Sequence, residues 1–360
     1  MIMLFYLPVK IFQEKDCVRN HADEWCALGS RAMIVTGRSS SAKNGSLSDV
    51  TSSLEERNIP YIVFDEVEEN PSVETVIRAG RIGIEAGVDF VIGIGGGSPL
   101  DAAKAIAIVI KNPGCDGTAV VGPEKMEAVP VISVPTTCGT GSEATPYAIL
   151  TRHDLKTKGS IPNKVFPVYA LVDSKYLKAA PRSVICNTAM DAFAHLCESY
   201  INTNATEISR MLSDKGFEIW ARCKDVLSGD KTPDEADLDD LMNASTLGGM
   251  AISHTGTSLP HGLSYQLTYN TGMPHGMAVG YFQAGYLKES PIQLREHVLK
   301  MSGFESAEEL AEFYRKICEP GTAPDRILEM ALEDVISNEA KLRNCPYTVT
   351  EDILRRIMYY

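Results

Sequence analysis

The chain has 360 residues, 44% of them hydrophobic and 22% charged, values that exclude disordered and fibrous architectures and, at this length, point to two packed domains. Lys plus Arg number 34 against 47 Asp plus Glu, a formal net charge of −13, which excludes a general nucleic-acid or anionic-membrane binder but not a local basic pocket. No apolar run approaches the roughly 18 residues of a membrane span, the opening MIMLFYLPV lacks a basic leader and a cleavage site, and nine scattered cysteines suit a reducing compartment, so a cytoplasmic protein is expected.

Along the chain, short β-branched runs first alternate with helical stretches. RAMIVTG from Arg31, YIVFDEV from Tyr61, DFVIGIGGG from Asp89, VPVISVPTT from Val129 and YALVD from Tyr169 read as strands, with the helical period near 47–58, 72–87 and 99–111. This alternation implies parallel strands with crossover helices and a ligand site at the strands' C-terminal ends. After Pro181 the strand signals vanish. Amphipathic helices are predicted around 183–201, 205–226, 236–258, 275–288, 306–317 and 350–358, with Ser306 and Glu309 as a capping-box pair. The fold expected is an α/β domain with a mostly parallel sheet over 1–180 and an all-helical domain over 181–360.

Two loops carry ligand-binding chemistry. Gly95-Gly96-Gly97-Ser98-Pro99-Leu100-Asp101 follows a hydrophobic strand and opens a helix. Glycines admit a phosphate close to the backbone, and a helix N-terminus directs free N–H groups and a positive dipole end at it. The pattern is neither GxGxxG nor GxxxxGK[ST]. Pro135-Thr136-Thr137-Cys138-Gly139-Thr140-Gly141-Ser142-Glu143 follows the next strand and offers hydroxyls and backbone donors, suited to a ribose, an amide or phosphate oxygens. Together the two loops suggest one extended nucleotide.

A metal constellation lies in the helical half. Asp191 and His195 in TAMDAFAHLCES are four residues apart, on one helix face, and Glu198 extends the stripe. His261 in SLPHGLSY and His275 in MPHGMAVG sit among small or apolar neighbours. One carboxylate with three imidazoles would hold a divalent cation with open positions for an oxygen substrate. His254, seven residues before His261, is read as a pocket or outer residue, and His21 and His153 as surface residues.

GGGSPLDAAKAIA, PTTCGTGSEATPYAI, MDAFAHLCESY and PHGLSYQLTYNTGMPHG, in this order, resemble the iron-containing (group III) alcohol dehydrogenase family, and among its branches the small bacterial 1,3-propanediol and alcohol dehydrogenases. The resemblance covers nearly the whole chain. It implies a cleft between a dinucleotide-binding domain and a metal-holding helical domain, hydride transfer between NADP(H) or NAD(H) and a short-chain alcohol, diol or aldehyde, and a homodimer. Matched residue by residue, it makes Asp191, His195, His261 and His275 the metal ligands, through which catalysis runs. Gly95, Gly96, Gly97 and Ser98, with Asp101 nearby, would take the pyrophosphate. Thr136, Thr137, Thr140 and Ser142 would meet the ribose, phosphates or nicotinamide side, and Lys158 in TRHDLKTKGS a cofactor ribose. Oxygen and nitrogen ligands suit Fe(II), with Zn(II) the alternative.

Three positions depart from the family pattern. Tyr265 stands where many members carry a second histidine, as a replacement relay or a pocket wall. Cys138 stands where alanine is usual. After the first strand, where NAD-using relatives often place an acid, this chain has Gly37, Arg38, Ser39, Ser40 and, further on, Lys43, a set suited to a 2′-phosphate. The expected cofactor is therefore NADP(H). The alternatives are a glycerol-dehydrogenase-like or dehydroquinate-synthase-like enzyme on a related fold, and a non-catalytic module binding metal and nucleotide.

Overall fold

The five β-branched runs are among eight strands in the computed structural model, which describes residues 5–360: β1 (Lys10–Gln13), β2 (Ala32–Thr36), β3 (Tyr61–Phe64), β4 (Phe90–Gly95), β5 (Val131–Pro135), β6 (Ile149–Arg152), β7 (Thr157–Ser160) and β8 (Tyr169–Val172). Six of them make one sheet in the order β1-β8-β5-β4-β2-β3, every neighbouring pair parallel. β6 and β7 form a separate antiparallel hairpin.

Side chains alternate across the sheet. Met33, Val35, Val91 and Val131 join Val76, Ala79, Ile106 and Ile110 from the helices Val73–Glu85 and Gly97–Lys111. Ile34, Phe90, Ile92, Ile94 and Ile132 join Trp25, Tyr176 and, from the helix Ser46–Glu56, Val50 and Leu54. Helices thus cover both faces, which is why β2, β4 and β5 are buried throughout and read as unbroken apolar runs rather than as alternation.

The connection from β2 leads outward to β3, while the chain from β4 proceeds to β5 on the opposite side. The order therefore reverses between β2 and β4. Ligands of doubly wound sheets bind outside the carboxyl ends of the strands at such a reversal, and here those ends carry Gly37–Ser40 and Gly95–Ser98.

The chain divides into two compact units. Leu7–Thr137 with Ser142–Ala180 form the α/β unit; Pro181–Tyr360, together with Phe5, Tyr6 and Cys138–Gly141, form the helical one. The placement of Cys138–Gly141 differs from a simple division by chain order: it leaves Thr140 with the helices and its neighbours Thr136, Thr137 and Ser142 with the sheet. The helical unit is built round Arg182–Ile201, whose buried residues lie on all its sides, as expected of a central helix. Around it run Glu207–Arg222, Glu235–Thr255, Leu259–Thr271, His275–Glu289, Ala307–Cys318 and Asp325–Ile336, with Glu351–Met358 last. No helix among the described residues is long and apolar enough to cross a membrane.

Several elements differ from the sequence expectation. β1 carries no strand signal of its own, because its four residues, Lys10–Gln13, are only half-buried at the sheet edge and acquire strand character by pairing with β8. The helix Leu259–Thr271 is masked in the sequence by Pro260 and Gly262, although a proline in the first helical turn loses no hydrogen bond. The stretch expected at 205–226 breaks at Cys223, and Lys224–Ser228 makes a short helix of its own. At Ser306 the hydroxyl accepts from Glu309 N at 3.1 Å, but the Glu309 carboxylate reaches Glu305 N instead of Ser306 N, so only half of the expected capping box forms.

Candidate metal centre and dinucleotide loops

Helical periodicity places Asp191 and His195 on one face of Arg182–Ile201, and the helices Leu259–Thr271 and His275–Glu289 bring His261 and His275 to the same point. A close approach makes this possible: a Cβ at Gly276 would overlap the carbonyl oxygen of Asn187, one turn before Asp191. Asp191 Oδ1 has the Nε2 atoms of His261, His275 and His195 at 3.4, 3.8 and 3.9 Å. Ligand atoms of Asp191, His261 and His275 all lie within 4.8 Å of one another, and His195 Nε2 is 2.9 Å from His261 Nε2. Asp191, His195 and His261 are almost wholly buried, whereas His275 is 25% exposed and forms the open side.

Outer partners fix the two buried imidazoles. His261 Nδ1 is 2.6 Å from Glu198 Oε1, and His195 Nδ1 is 3.1 Å from Gly139 O. Both partners are acceptors, so both Nδ1 atoms carry the proton and both Nε2 atoms present lone pairs. Two lone pairs 2.9 Å apart repel unless a proton or a cation lies between them, and ligands sharing a cation at about 2.0–2.2 Å sit roughly 3–3.5 Å apart. Asp191 Oδ1, buried and without a hydrogen-bond donor of good geometry among the described residues, supplies the negative charge. The donor set fits a divalent metal.

Burial is the largest influence on Asp191, His195 and His261. It drives His195 below the ordinary imidazole value. In Asp191 burial pushes the carboxyl upward, but His195, His275 and His261 together reverse this and hold it well below the usual carboxylate range. In His261 burial pushes down, while Glu198 and Asp191 outweigh it and raise the imidazole. Glu198 spends its second oxygen on Ser258 N at 2.5 Å, tying the entry of the next helix to the same carboxylate.

Tyr265 lies beside this centre, its ring centroid 6.3 Å from that of His275. His254 does not: its ring stacks on Phe5 at 4.4 Å, Nε2 accepts from Tyr6 N, and Nδ1 lies 2.8 Å from Met250 O. The pocket role expected for it is thereby corrected, since His254 lies at the end of the helix Glu235–Thr255 and the break at Gly256 separates it from the helix that carries His261. Cys138 is buried against Ile185 and Thr188, and burial pushes its thiol up to about 11. His21 stacks on Phe12 between Glu14 and Glu24.

In the α/β unit, Gly95 adopts φ +147° and Gly96 precedes the first turn of the helix Gly97–Lys111. A Cβ at Gly95 would stand 2.6 Å from the Pro99 ring. Thr136 N donates to Gly95 O at 2.9 Å, binding the two loops together at their roots, and Thr137 lies against Gly96. Ser98 Oγ accepts from Asn70 N at 3.0 Å, and Lys158 Nζ donates to Asn70 Oδ1 at 2.5 Å. Asp101 accepts from Ser142 Oγ at 2.6 Å and from Ile149 N at 2.8 Å. Asp101 and Ser142, expected at the cofactor, thus brace the loop internally.

Lys104, which lies within GGGSPLDAAKAIA but has no role in the sequence reading, completes that brace. Its fully buried ammonium donates to Ser142 O, Ser142 Oγ and Tyr147 O, each at 2.7 Å, and burial pulls it down to about 8. A lysine one turn after Asp101 in an otherwise apolar helix was the available signal. For Gly139 O and Ser258 N, which act through their main chain, there was none. At the end of β2, Gly37 is half-buried, and Arg38, Ser39 and Ser40 are exposed.

Comparison with known proteins accords with this arrangement. Residues 8–174 match the family described as iron-containing alcohol dehydrogenase, and residues 185–318 match the C-terminal part of the same family. Alcohol dehydrogenase 4 of Schizosaccharomyces pombe is 31% identical over 77% of this chain, which spans 66% of that protein's length. The NADPH-dependent butanol dehydrogenase of Clostridium saccharobutylicum is 28% identical over 97% of the chain and 87% of its own length. Among solved structures, an iron-containing alcohol dehydrogenase from Thermotoga maritima is 34% identical, with a TM-score of 0.91 over 99% of this chain and 98% of its own. This chain belongs to the iron-containing alcohol dehydrogenase family.

Proposed function

We propose that this chain is a metal-dependent alcohol dehydrogenase or aldehyde reductase that transfers hydride between NADP(H) and a short-chain alcohol, diol or aldehyde. The observation that carries the reading is the pair of facing Nε2 atoms of His195 and His261, 2.9 Å apart beside Asp191 Oδ1. Asp191, His195, His261 and His275 hold the ion, Fe(II) or alternatively Zn(II). Bound there, it supplies Lewis-acid stabilisation of the negative charge that develops on the substrate oxygen. Glu198 and Gly139 O keep the imidazoles in the ligating tautomer, and Tyr265 forms a wall of the pocket beside His275.

The dinucleotide's pyrophosphate is assigned to the backbone of Gly95–Ser98 at the helix N-terminus. Thr136, Thr137 and Thr140 contact its ribose or nicotinamide side, with Lys158 directed to a ribose by way of Asn70. NADP(H) is favoured over NAD(H) because Gly37–Ser40 bring hydroxyls and the exposed Arg38, which makes no ion pair among the described residues, to the carboxyl end of β2. That a relative similar along the whole chain is NADPH-dependent supports this choice. We also assign the chain to the cytoplasm, where its nine free cysteines stay reduced, and to a homodimer.

Metal analysis of anaerobically purified protein, paired with kcat/KM for NADPH and NADH on short aldehydes and on 1,3-propanediol, tests the reading. One equivalent of iron or zinc with NADPH-preferring turnover is expected. Metal-free protein that retains full activity would overturn the catalytic assignment, and a strong NADH preference would overturn the cofactor choice. Light scattering after gel filtration should give twice the chain mass.

A further inference from the structure

Beside the metal centre lies a cation that no step described so far uses. Lys341 runs along the helix Leu259–Thr271: a Cβ at Gly262, next to His261, would lie 3.4 Å from its Cγ. Its ammonium donates to Thr257 Oγ1 and stands 5.7 Å from the centroid of the Tyr265 ring. His275 also lies near the same tyrosine, 6.3 Å away between ring centroids. Lys341, Thr257, Tyr265 and His275 are all partly exposed, whereas His261 and Ser264 between them are buried.

An ammonium has three donors, and one of them meets Thr257. No carboxylate among the described residues forms an ion pair with Lys341. Glu198 is the acid that acts on it most strongly, but both its oxygens are already engaged, by His261 Nδ1 and Ser258 N. Burial pulls the lysine down to about 8, so it stays mostly charged at neutral pH, while an anion brought beside it gains a poorly solvated partner. The helix-to-helix link at Gly256–Ser258 does not require a lysine, since Asn344 Nδ2 already donates to Thr257 O at 2.7 Å.

We propose that Lys341 is a specificity-determining residue that selects substrates carrying a carboxylate at the end remote from the reacting carbon, the ω-oxo acids and ω-hydroxy acids of three to five carbons. This rests on the functional reading above and narrows its substrate class. The aldehyde or alcohol end faces Asp191, His195, His261 and His275. The carboxylate accepts from the two unused donors of Lys341, and the Tyr265 ring flanks the methylene chain between them.

The test compares 3-oxopropanoate, 4-oxobutanoate and 5-oxopentanoate with butanal and pentanal on the metal-loaded enzyme. At least a tenfold preference in kcat/KM for one of the acids is expected. In Lys341→Met, kcat/KM for that acid should fall at least thirtyfold further than for the neutral aldehydes, and Lys341→Arg should restore most of the preference. Glutarate, which cannot be reduced at a carboxylate end, should bind wild-type protein in calorimetry and bind Lys341→Met at least tenfold more weakly. Turnover of neutral aldehydes with no preference for any acid would overturn the substrate class and leave the reductase reading standing. Equal losses on charged and neutral substrates in Lys341→Met would mean a purely structural lysine, and would overturn the substrate class in the same way. Absence of turnover on every aldehyde would overturn the functional reading and this inference together.

Discussion

At the carboxyl end of β4 the groups offered to a ligand are main-chain N–H groups, whereas around Asp191 they are side-chain lone pairs aimed by outer partners. The first arrangement depends on what is missing: Gly95 at φ +147° has no room for a Cβ. The second depends on what is added, namely a carboxylate and a carbonyl that decide which imidazole nitrogen faces inward. A main-chain site is therefore sensitive to few substitutions. A side-chain site is sensitive to many, including residues that never touch the ion.

Breaking the side-chain centre directly should have the largest effect. Asp191→Ala or His261→Ala is expected to abolish metal retention by emission spectrometry and to lower kcat/KM by more than about 10³-fold. Glu198→Gln, which keeps the shape but weakens acceptance from His261 Nδ1, should reduce metal affinity about 10–100-fold in chelator competition. The main-chain site answers to Gly95→Ala, which forces a side chain into a left-handed conformation costing about 1–3 kcal/mol. Dinucleotide affinity by fluorescence titration should fall about tenfold in that variant while metal content is retained. Loss of metal in Gly95→Ala would erase the contrast between the sites.

The smallest effect expected concerns the α/β unit alone. Burial pushes the Asp49 carboxyl up, but hydrogen bonds from Lys175, Arg19 and Tyr176 outweigh it and leave it below its ordinary value. A carboxyl lowered on folding contributes stability that is present above its unfolded pKa of about 3.9 and lost as pH falls through the folded one. Thermal melts from pH 6 to pH 3 should therefore decline more steeply in wild type than in Asp49→Asn. Parallel curves would remove that contribution.

The sequence showed the parts of the molecule that repeat a local period and concealed those created by distant approach. Asp191 and His195 were readable because four residues on a helix is a geometric statement by itself. The glycine loop was readable from the apolar run before it and the helix after it. Gly139 O was read only as part of a polar loop, because nothing local says that it packs with the helices and meets His195 across 56 positions. Lys341 was invisible for a similar reason: it lies in the short helix Glu339–Arg343, whose polar residues read as a solvated surface. His254 shows the converse error, where a spacing of seven suggested a shared direction that the break at Gly256 abolishes.

The brace of Lys104, Asp101 and Ser142 has a consequence for how a dinucleotide is received. One buried ammonium ties the Ser142–Tyr147 loop to the helix that begins at Gly97, so loop and helix are held together by the chain's own contacts without a ligand. A long, flexible cofactor then supplies nearly all the ordering entropy on its own side, and little affinity is lost to remodelling the receptor. Exchanging the loop at the end of β2, to which we assign cofactor preference, should leave that frame intact. Exchanging the Ser142 loop would slacken it.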